Sequence, residues 1–310
     1  MNIIYWASPC FVMMLIAELY ITKKHSNHKD TYDYKDMFTS LAMGAGAGII
    51  KAAFTKTVSA SIVFWGAYRL FNTNVDGVDM NILGYESFGL GAAWYVWLIC
   101  QFLDDFCYYW VHRFNHTVRC MWAAHIVHHS SAKFNYGTGL RNGWVTILYK
   151  PFFYAWLPAI GFHPMMCLTC LGIESLWQFQ LHSKFIPKLG FLEKFLNLHT
   201  QHQVHHARNV EYLDKNHGGY LNIFDRIFGT YQELDEKIDI EYGVVHEPKS
   251  HNPLVVVSHE YKDIWNDVKK AKKLSHAFMY IFGPPGWSPD GSSQTVKQLQ
   301  RELKQQKVAA

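Results

Sequence analysis

Three short runs of this chain concentrate imidazoles: His112-Arg-Phe-Asn-His116, His125-Ile-Val-His128-His129 and His202-Gln-Val-His205-His206. On a helix, positions i and i+4 lie about 40° apart, and i+3 falls on the other flank of the same face. H-x-x-x-H and H-x-x-H-H therefore aim two or three rings at one point. Neutral imidazole is a ligand that suits iron and zinc. A lone histidine is ordinarily a hydrogen-bonded or solvated side chain. Three separate clusters at the ends of apolar segments read instead as a metal centre. Their eight rings exceed the shell of one tetrahedral zinc and suit two metals with positions left open.

A polar stripe adds a ninth ring. Glu174, Gln178 and His182 are spaced by four in an otherwise apolar stretch. Such a stripe should face the protein interior, with His182 at its end near the proposed centre. Asp105 precedes His112 by two helical turns on one face. Its carboxylate can accept the second ring N–H of a liganding histidine and fix the tautomer, or serve as a plain interior contact. In Lys215-Asn216-His217-Gly218-Gly219, His217 is an open tenth position, and His199, one turn before His202, is another. Asp105, Glu174, Gln178 and Asn216 form the candidate catalytic set around the metals. His25, His28, His246, His251, His259 and His276 lack ligand spacing and read as surface residues. His163 lies in a turn away from the clusters.

These residues need elements to position them. The 310 residues are 49% apolar and only 17% charged, which excludes a disordered chain or a coiled coil. A net charge of +4 is too weak to imply nucleic acid. Six dispersed cysteines without a C-x-x-C pair suggest neither a disulfide framework nor a zinc ribbon. The mean hydropathy of −0.08 hides apolar segments at 3–21, 38–70, 90–111, 144–160 and 164–181. The first, with no basic leader and no small-residue cleavage site, reads as a retained helix. The second reads as one span with an interfacial turn or as two half-helices. The third is a full span, and the last two form a hairpin about Gly161-Phe162-His163-Pro164. Gly44 and Gly48 read as a small-xxx-small pair for close helix packing, not as a nucleotide loop. Lysines and arginines gather at 23–35 and 113–141 and are absent from 71–89, which places the histidines on the cytosolic side. Arg113, Arg119 and Arg141 are membrane-interface anchors or contacts for a polar head group. Residues 294–307 read as a solvated surface helix.

The stretches DFCYYWVHRFNH, WAAHIVHHS, WQFQLHS and HQVHHARNVEYLDKNHGGYLNIFDRIFGTY, between about 100 and 231, resemble the fatty acid hydroxylase superfamily in its sterol desaturase branch. The additional N-terminal span and Gly283-Pro-Pro-Gly-Trp287 look like its alkylglycerol monooxygenase side. The resemblance implies an all-α integral membrane bundle with a cytosolic helical cap carrying a histidine-rich di-metal site. It implies N-terminal membrane helices over 1–99, a catalytic region over 100–235 with a membrane hairpin at 144–181, and a cytosolic tail over 236–310. It also implies a di-iron oxygenase of the endoplasmic reticulum or a bacterial inner membrane that hydroxylates, desaturates or cleaves a lipid with O2. Relatives usually carry an aromatic residue where this chain has His217.

No haem, flavin, NAD or iron–sulfur motif is present in the sequence, so electrons must come from an external cytochrome, ferredoxin or reduced pterin. The face around 183–275 is the expected docking surface. Two other classes remain open: a non-catalytic membrane metal-binding or transport protein, and a zinc-dependent membrane hydrolase. Transporters place ligands near the bilayer midplane, whereas these clusters follow the spans. A hydrolase would not consume O2.

Overall fold

A computed structural model describes residues 3–24, 31–54, 60–75, 78–80 and 93–309. Helices α1 (Ile3–Lys24), α2 (Tyr34–Phe54) and α3 (Ala60–Phe71) lead into a two-stranded antiparallel hairpin, β1 (Thr73–Val75) with β2 (Val78–Met80). There follow α4 (Trp94–Thr117), α5 (Arg119–His129), one-turn helices α6 (Tyr136–Gly139) and α7 (Trp156–Ala159), and α8 (Pro164–Gln180). The chain ends in α9 (His199–His205), α10 (Ile223–Ile227), α11 (Pro253–Lys270), α12 (Leu274–Phe282) and α13 (Val296–Ala309). Apart from the small hairpin, the described architecture is helical, as the sequence implies.

Helix α4 organises the molecule because it carries two inward stripes. Val96, Cys100, Asp104, Cys107, Val111 and Asn115 form one buried row at helical spacing; Asp105, Tyr109, His112 and His116 form the next. Cys100, Cys107 and Val111 on the first row pack with Phe64, Leu157, Met166 and Cys170 in an apolar core shared by α3, α7 and α8. The second row faces the histidines. Val118, extended at φ −117° and ψ 116°, breaks the helix and turns the chain into α5. Arg119 at the start of α5 pairs with Glu260 at 2.8 Å and Asp267 at 2.7 Å, which fastens α11 against α5.

The stretch 38–70 forms two helices, α2 and α3, the second of the two arrangements expected, with 55–59 outside the described residues. Other expectations change. The stretch 144–160 is two 3₁₀ turns and the short α7, because Pro151 and Pro158 each remove a backbone donor. Among the described residues no helix is long and apolar enough to cross a membrane. Helix α4 has the length but carries Asp104 and Asp105 at mid-height, and α8 carries Glu174. Most of the cation-free loop 71–89, like residues 90–92 at the head of the third apolar segment, lies outside the described residues. In α2 the close approaches belong to Gly44 and Gly46. A Cβ would fall 2.9 Å from the Leu140 carbonyl oxygen at Gly44 and 2.4 Å from the Trp144 ring at Gly46, and would meet nothing at Gly48.

Candidate metal centre

Each histidine run lands at a place where its backbone is already fixed. His112 and His116 sit on the last turns of α4, and His125, His128 and His129 on α5. His182 lies just beyond the C-terminus of α8. His202 and His205 lie on α9, with His206 capping it. The rings sort into two groups. His112, His116, His125, His129 and His205 form one, and His128, His182, His202 and His206 the other. Within each group the nitrogens that could bind a metal all lie within 4.8 Å of one another. The second and third runs each contribute to both groups, which are contiguous: the rings of His129 and His206 stack at 4.3 Å. Seven of the nine rings are buried, and His125 and His128 are the two partly exposed ones.

Tautomers follow from the outer contacts. A carbonyl only accepts, so a ring nitrogen facing one must carry the proton. His112 Nδ1 donates to the His217 carbonyl at 3.0 Å and His205 Nδ1 to the Lys215 carbonyl at 2.8 Å. His128 Nδ1 donates to the Arg141 carbonyl at 3.0 Å, and His182 Nδ1 to the Gln178 carbonyl at 2.8 Å. Each of these rings then turns a lone pair on Nε2 toward its group. Nε2 atoms meet at 3.1 Å between His112 and His125, at 3.1 Å between His128 and His182, and at 3.0 Å between His182 and His202. Nε2 of His116, His205 and His206 is buried without a hydrogen-bond partner. Such atoms are costly unless something satisfies them, and a soft-to-borderline cation does so at every one. The donor set therefore fits two metal ions. Burial also pushes His128 down to about 4 and His205 down to about 3, which keeps both rings neutral at physiological pH.

The candidate catalytic residues are arranged around this centre differently from expectation. Asp105 does not reach His112, whose ring N–H is taken by the His217 carbonyl. Its carboxylate accepts instead from the backbone N–H of Tyr220 at 2.7 Å and Leu221 at 3.2 Å. Gln178 donates to Glu174 at 3.1 Å and to the Gly219 carbonyl at 3.0 Å. A Cβ on Gly219 would fall 2.3 Å from Asp105 Oδ1 and 2.5 Å from Glu174 Oε1, so only glycine fits there. The Glu174–Gln178–His182 stripe does face inward and is buried. Asn216 is a staple: it donates to the Gln201 carbonyl at 3.0 Å and the Gln232 carbonyl at 2.7 Å, and accepts from Gln232 N at 2.8 Å. With those bonds made, it is not aimed at the metals. His199 donates to the Gln180 carbonyl at 2.9 Å and belongs to neither group. His217 packs its ring 4.9 Å from that of His116, outside both groups. Arg119 and Arg141 are engaged in ion pairs and Arg113 donates to Tyr109 at 2.8 Å, so each has a protein partner.

Sequence reasoning missed Asp214 and Asp225. Asp214 Oδ1 lies 3.6 Å from His116 Nδ1. Asp225 accepts from the backbone of His217 at 2.8 Å and of Gly218 at 2.7 Å, and from the Thr230 hydroxyl at 2.7 Å. It thereby holds the loop whose carbonyls orient His112 and His205. The only signal in the sequence was the Asp-Arg-Ile-Phe-Gly-Thr run, which carries no ligand spacing.

Residues 97–230 match the fatty acid hydroxylase family model. The chain is 33% identical to alkylglycerol monooxygenase of Homo sapiens, over 91% of this chain and 59% of the relative. It is 33% identical to that of Xenopus tropicalis, over 96% of this chain and 63% of the relative. With the enzyme of that name from Caenorhabditis elegans the identity is 26%, over 91% of this chain and 54% of the relative. The chain thus spans roughly three-fifths of the length of these relatives. No solved structure matches it. The histidine runs and the aspartates that brace them all fall inside the matched segment, so the similarity to the fatty acid hydroxylase family rests on the residues of the centre itself.

Proposed function

We propose that the chain is a membrane-bound, O2-dependent monooxygenase that oxidises an alkylglycerol-type ether lipid at a pair of irons. The observation that carries this reading is the nine-histidine centre, split five and four, with its Nε2 atoms turned inward. An unactivated C–H bond is beyond any side-chain acid or base, and bound iron supplies the O2 chemistry it requires. The protein's own part is to hold the rings neutral, fix their tautomers through backbone carbonyls, and leave access on the side of His125 and His128. The ether-lipid substrate is suggested by the name of the relatives.

Two further observations support a lipid substrate at a bilayer. Val12, Met13 and Ile16 on α1, and Leu98, Ile99 and Phe102 on α4, expose large apolar side chains. A cavity of about 190 Å³ is lined mostly by the apolar Met14, Ala17, Ile21, Phe185 and Ile186, with Glu18, Tyr136 and Ser183, the residue after His182, also in its wall. The basic residues at 23–35 and 113–141 favour a cytosolic position for the centre. Electrons then arrive from an external donor docking on the face formed by 183–275.

The test uses the full chain in membranes, supplied with an alkylglycerol, O2 and a reduced donor. Matching O2 uptake and lipid loss are expected, with about two irons per chain. Comparison of lipids in cells with and without the gene identifies the lipid class. Stoichiometric zinc, with no O2 uptake on any lipid, would sink the reading in favour of a hydrolase.

A further inference from the structure

The outer contacts of the two histidine groups come from different parts of the chain. For the five-histidine group they converge on one loop: His112 on the His217 carbonyl, His205 on the Lys215 carbonyl and His116 beside Asp214. For the four-histidine group they lead to the N-terminal helices. Arg141, whose carbonyl takes the His128 ring N–H, is itself buried, and its guanidinium is paired with Asp36 on α2. The other oxygen of Asp36 accepts from the Ser131 hydroxyl at 2.6 Å, just past the second histidine run. On α1, the buried Glu18 accepts from the Ser183 hydroxyl at 2.8 Å, from Tyr136 N at 2.9 Å and from the Tyr32 hydroxyl. Ser183 adjoins His182. Among the described residues, no such contact from α1 or α2 reaches the outer nitrogens of the five-histidine group.

From this division we propose that Glu18 and Asp36 are positioning residues for the four-histidine metal alone: a clamp from outside the matched family segment that sets His182 and His128. The proposal rests on the two-metal reading above. A carboxylate paired with a buried guanidinium is a rigid anchor, because removing the carboxylate strands the Arg141 cation away from water. Glu18 is nearly as fixed, since both of its oxygens are occupied. Neither residue touches a metal-binding nitrogen. Each acts one residue or one carbonyl away, where small displacements rotate a ring off its metal. Outer contacts of this kind typically change metal affinity by about 10–100-fold. Two separately supported metals would also fill and empty independently.

The experiment strips full-length wild type, Glu18→Gln, Asp36→Asn and Ser183→Ala of metal, refills them with Fe(II), and counts iron per chain. Affinities are measured against a chelator. Wild type should hold about two irons. The Glu18→Gln and Asp36→Asn variants should hold one tightly and the other about 10–100-fold more weakly. Asp225→Asn, which loosens the loop at 214–217, should weaken the opposite iron, so the Mössbauer spectrum of the iron retained should differ between Asp36→Asn and Asp225→Asn. General destabilisation would lower both irons together and could not produce that difference. Ser183→Ala removes the hydroxyl on Glu18 and Ser131→Ala the hydroxyl on Asp36, and this pair decides the matter if Glu18→Gln or Asp36→Asn fails to fold. Equal loss of both irons, or undiminished binding of both, in folded Ser183→Ala and Glu18→Gln overturns the clamp while leaving the two-metal reading intact. Wild type holding fewer than two irons overturns both.

Discussion

His182 Nε2 and His202 Nε2 face each other at 3.0 Å in the interior, and a second Nε2, that of His128, lies 3.1 Å from His182. The Nδ1 atoms of His182 and His128 each donate to a carbonyl, so in the neutral rings their Nε2 atoms present lone pairs. Lone pairs at this separation repel, and burial denies them water. Only protonation or a shared cation makes the arrangement favourable. Protonation is opposed by burial, which lowers His128 to about 4. The cation remains.

It follows that the rings are worth more to the protein loaded than empty. Removing His112, His128 or His205 by substitution with alanine should lower iron content and abolish the proposed O2-dependent lipid turnover while the fold persists. Loss should be selective, with His112→Ala emptying the five-histidine group first and His128→Ala the other. Elemental analysis on purified protein reads both effects, and unchanged iron in all three variants would remove the basis for the centre.

Acid should release the metals. His128 and His205 are held by burial at about 4 and about 3 against an ordinary value of 6.5. Above 6.5 the rings are neutral whether the site is formed or open, so they impose no pH dependence there. As pH falls below 6.5, the opened or unfolded chain binds protons that the formed site refuses, and stability is lost progressively down to about pH 4 and then about pH 3. Protons compete with the metal over the same window. Dialysis at stepped pH should therefore show iron retained at neutral pH and lost on acidification. Loss on the alkaline side only would contradict it.

Much of the centre was legible because it is local. Helical spacing alone groups His112 with His116, His125 with His129 and His202 with His206, each four residues apart, whereas His128 and His205, three residues on in their runs, turn to the opposite group, which the spacing does not show. The four-residue stripe likewise points His182 inward. What was not legible depends on chain segments brought together from far away. Asp105 reaches a loop 115 residues on, and Glu18 reaches Ser183 across 165 residues. No periodicity encodes such pairs. The stretch 144–160 was misread for another reason: its apolar composition resembles a helix, but two prolines turn it into 3₁₀ pieces.

His182 and His217 should respond oppositely to substitution. His182 lies inside the four-histidine group with two nitrogens of that group near 3 Å. His217 offers its backbone carbonyl to His112, and its ring lies outside both groups. His182→Ala should thus deplete one iron, whereas His217→Tyr, which keeps the carbonyl, should retain both irons and part of the activity. Iron loss in His217→Tyr but not in His182→Ala, measured on the same preparation, would reverse the assignment.

Gly219 gives a test of the carboxylate layer behind the metals. Asp105 holds Tyr220 N and Leu221 N, Gln178 holds the Gly219 carbonyl, and the carboxylates of Asp105 and Glu174 close over the place a side chain would occupy. A methyl there must displace Asp105 Oδ1 from 2.3 Å and Glu174 Oε1 from 2.5 Å. Both oxygens sit on helices, α4 and α8, that also carry or precede His112 and His182. Overpacking of this kind costs about 1–3 kcal/mol. Gly219→Ala should therefore lower thermal stability by that order and also reduce iron affinity, because the strain moves helices that present rings to both groups. Gly48→Ala, where a Cβ meets nothing, is the matched control on α2 and should leave both unchanged. Thermal unfolding and iron titration on the two variants decide it, and a Gly219→Ala protein as stable and as metal-rich as wild type would show that the carboxylate layer yields freely and does not brace the centre.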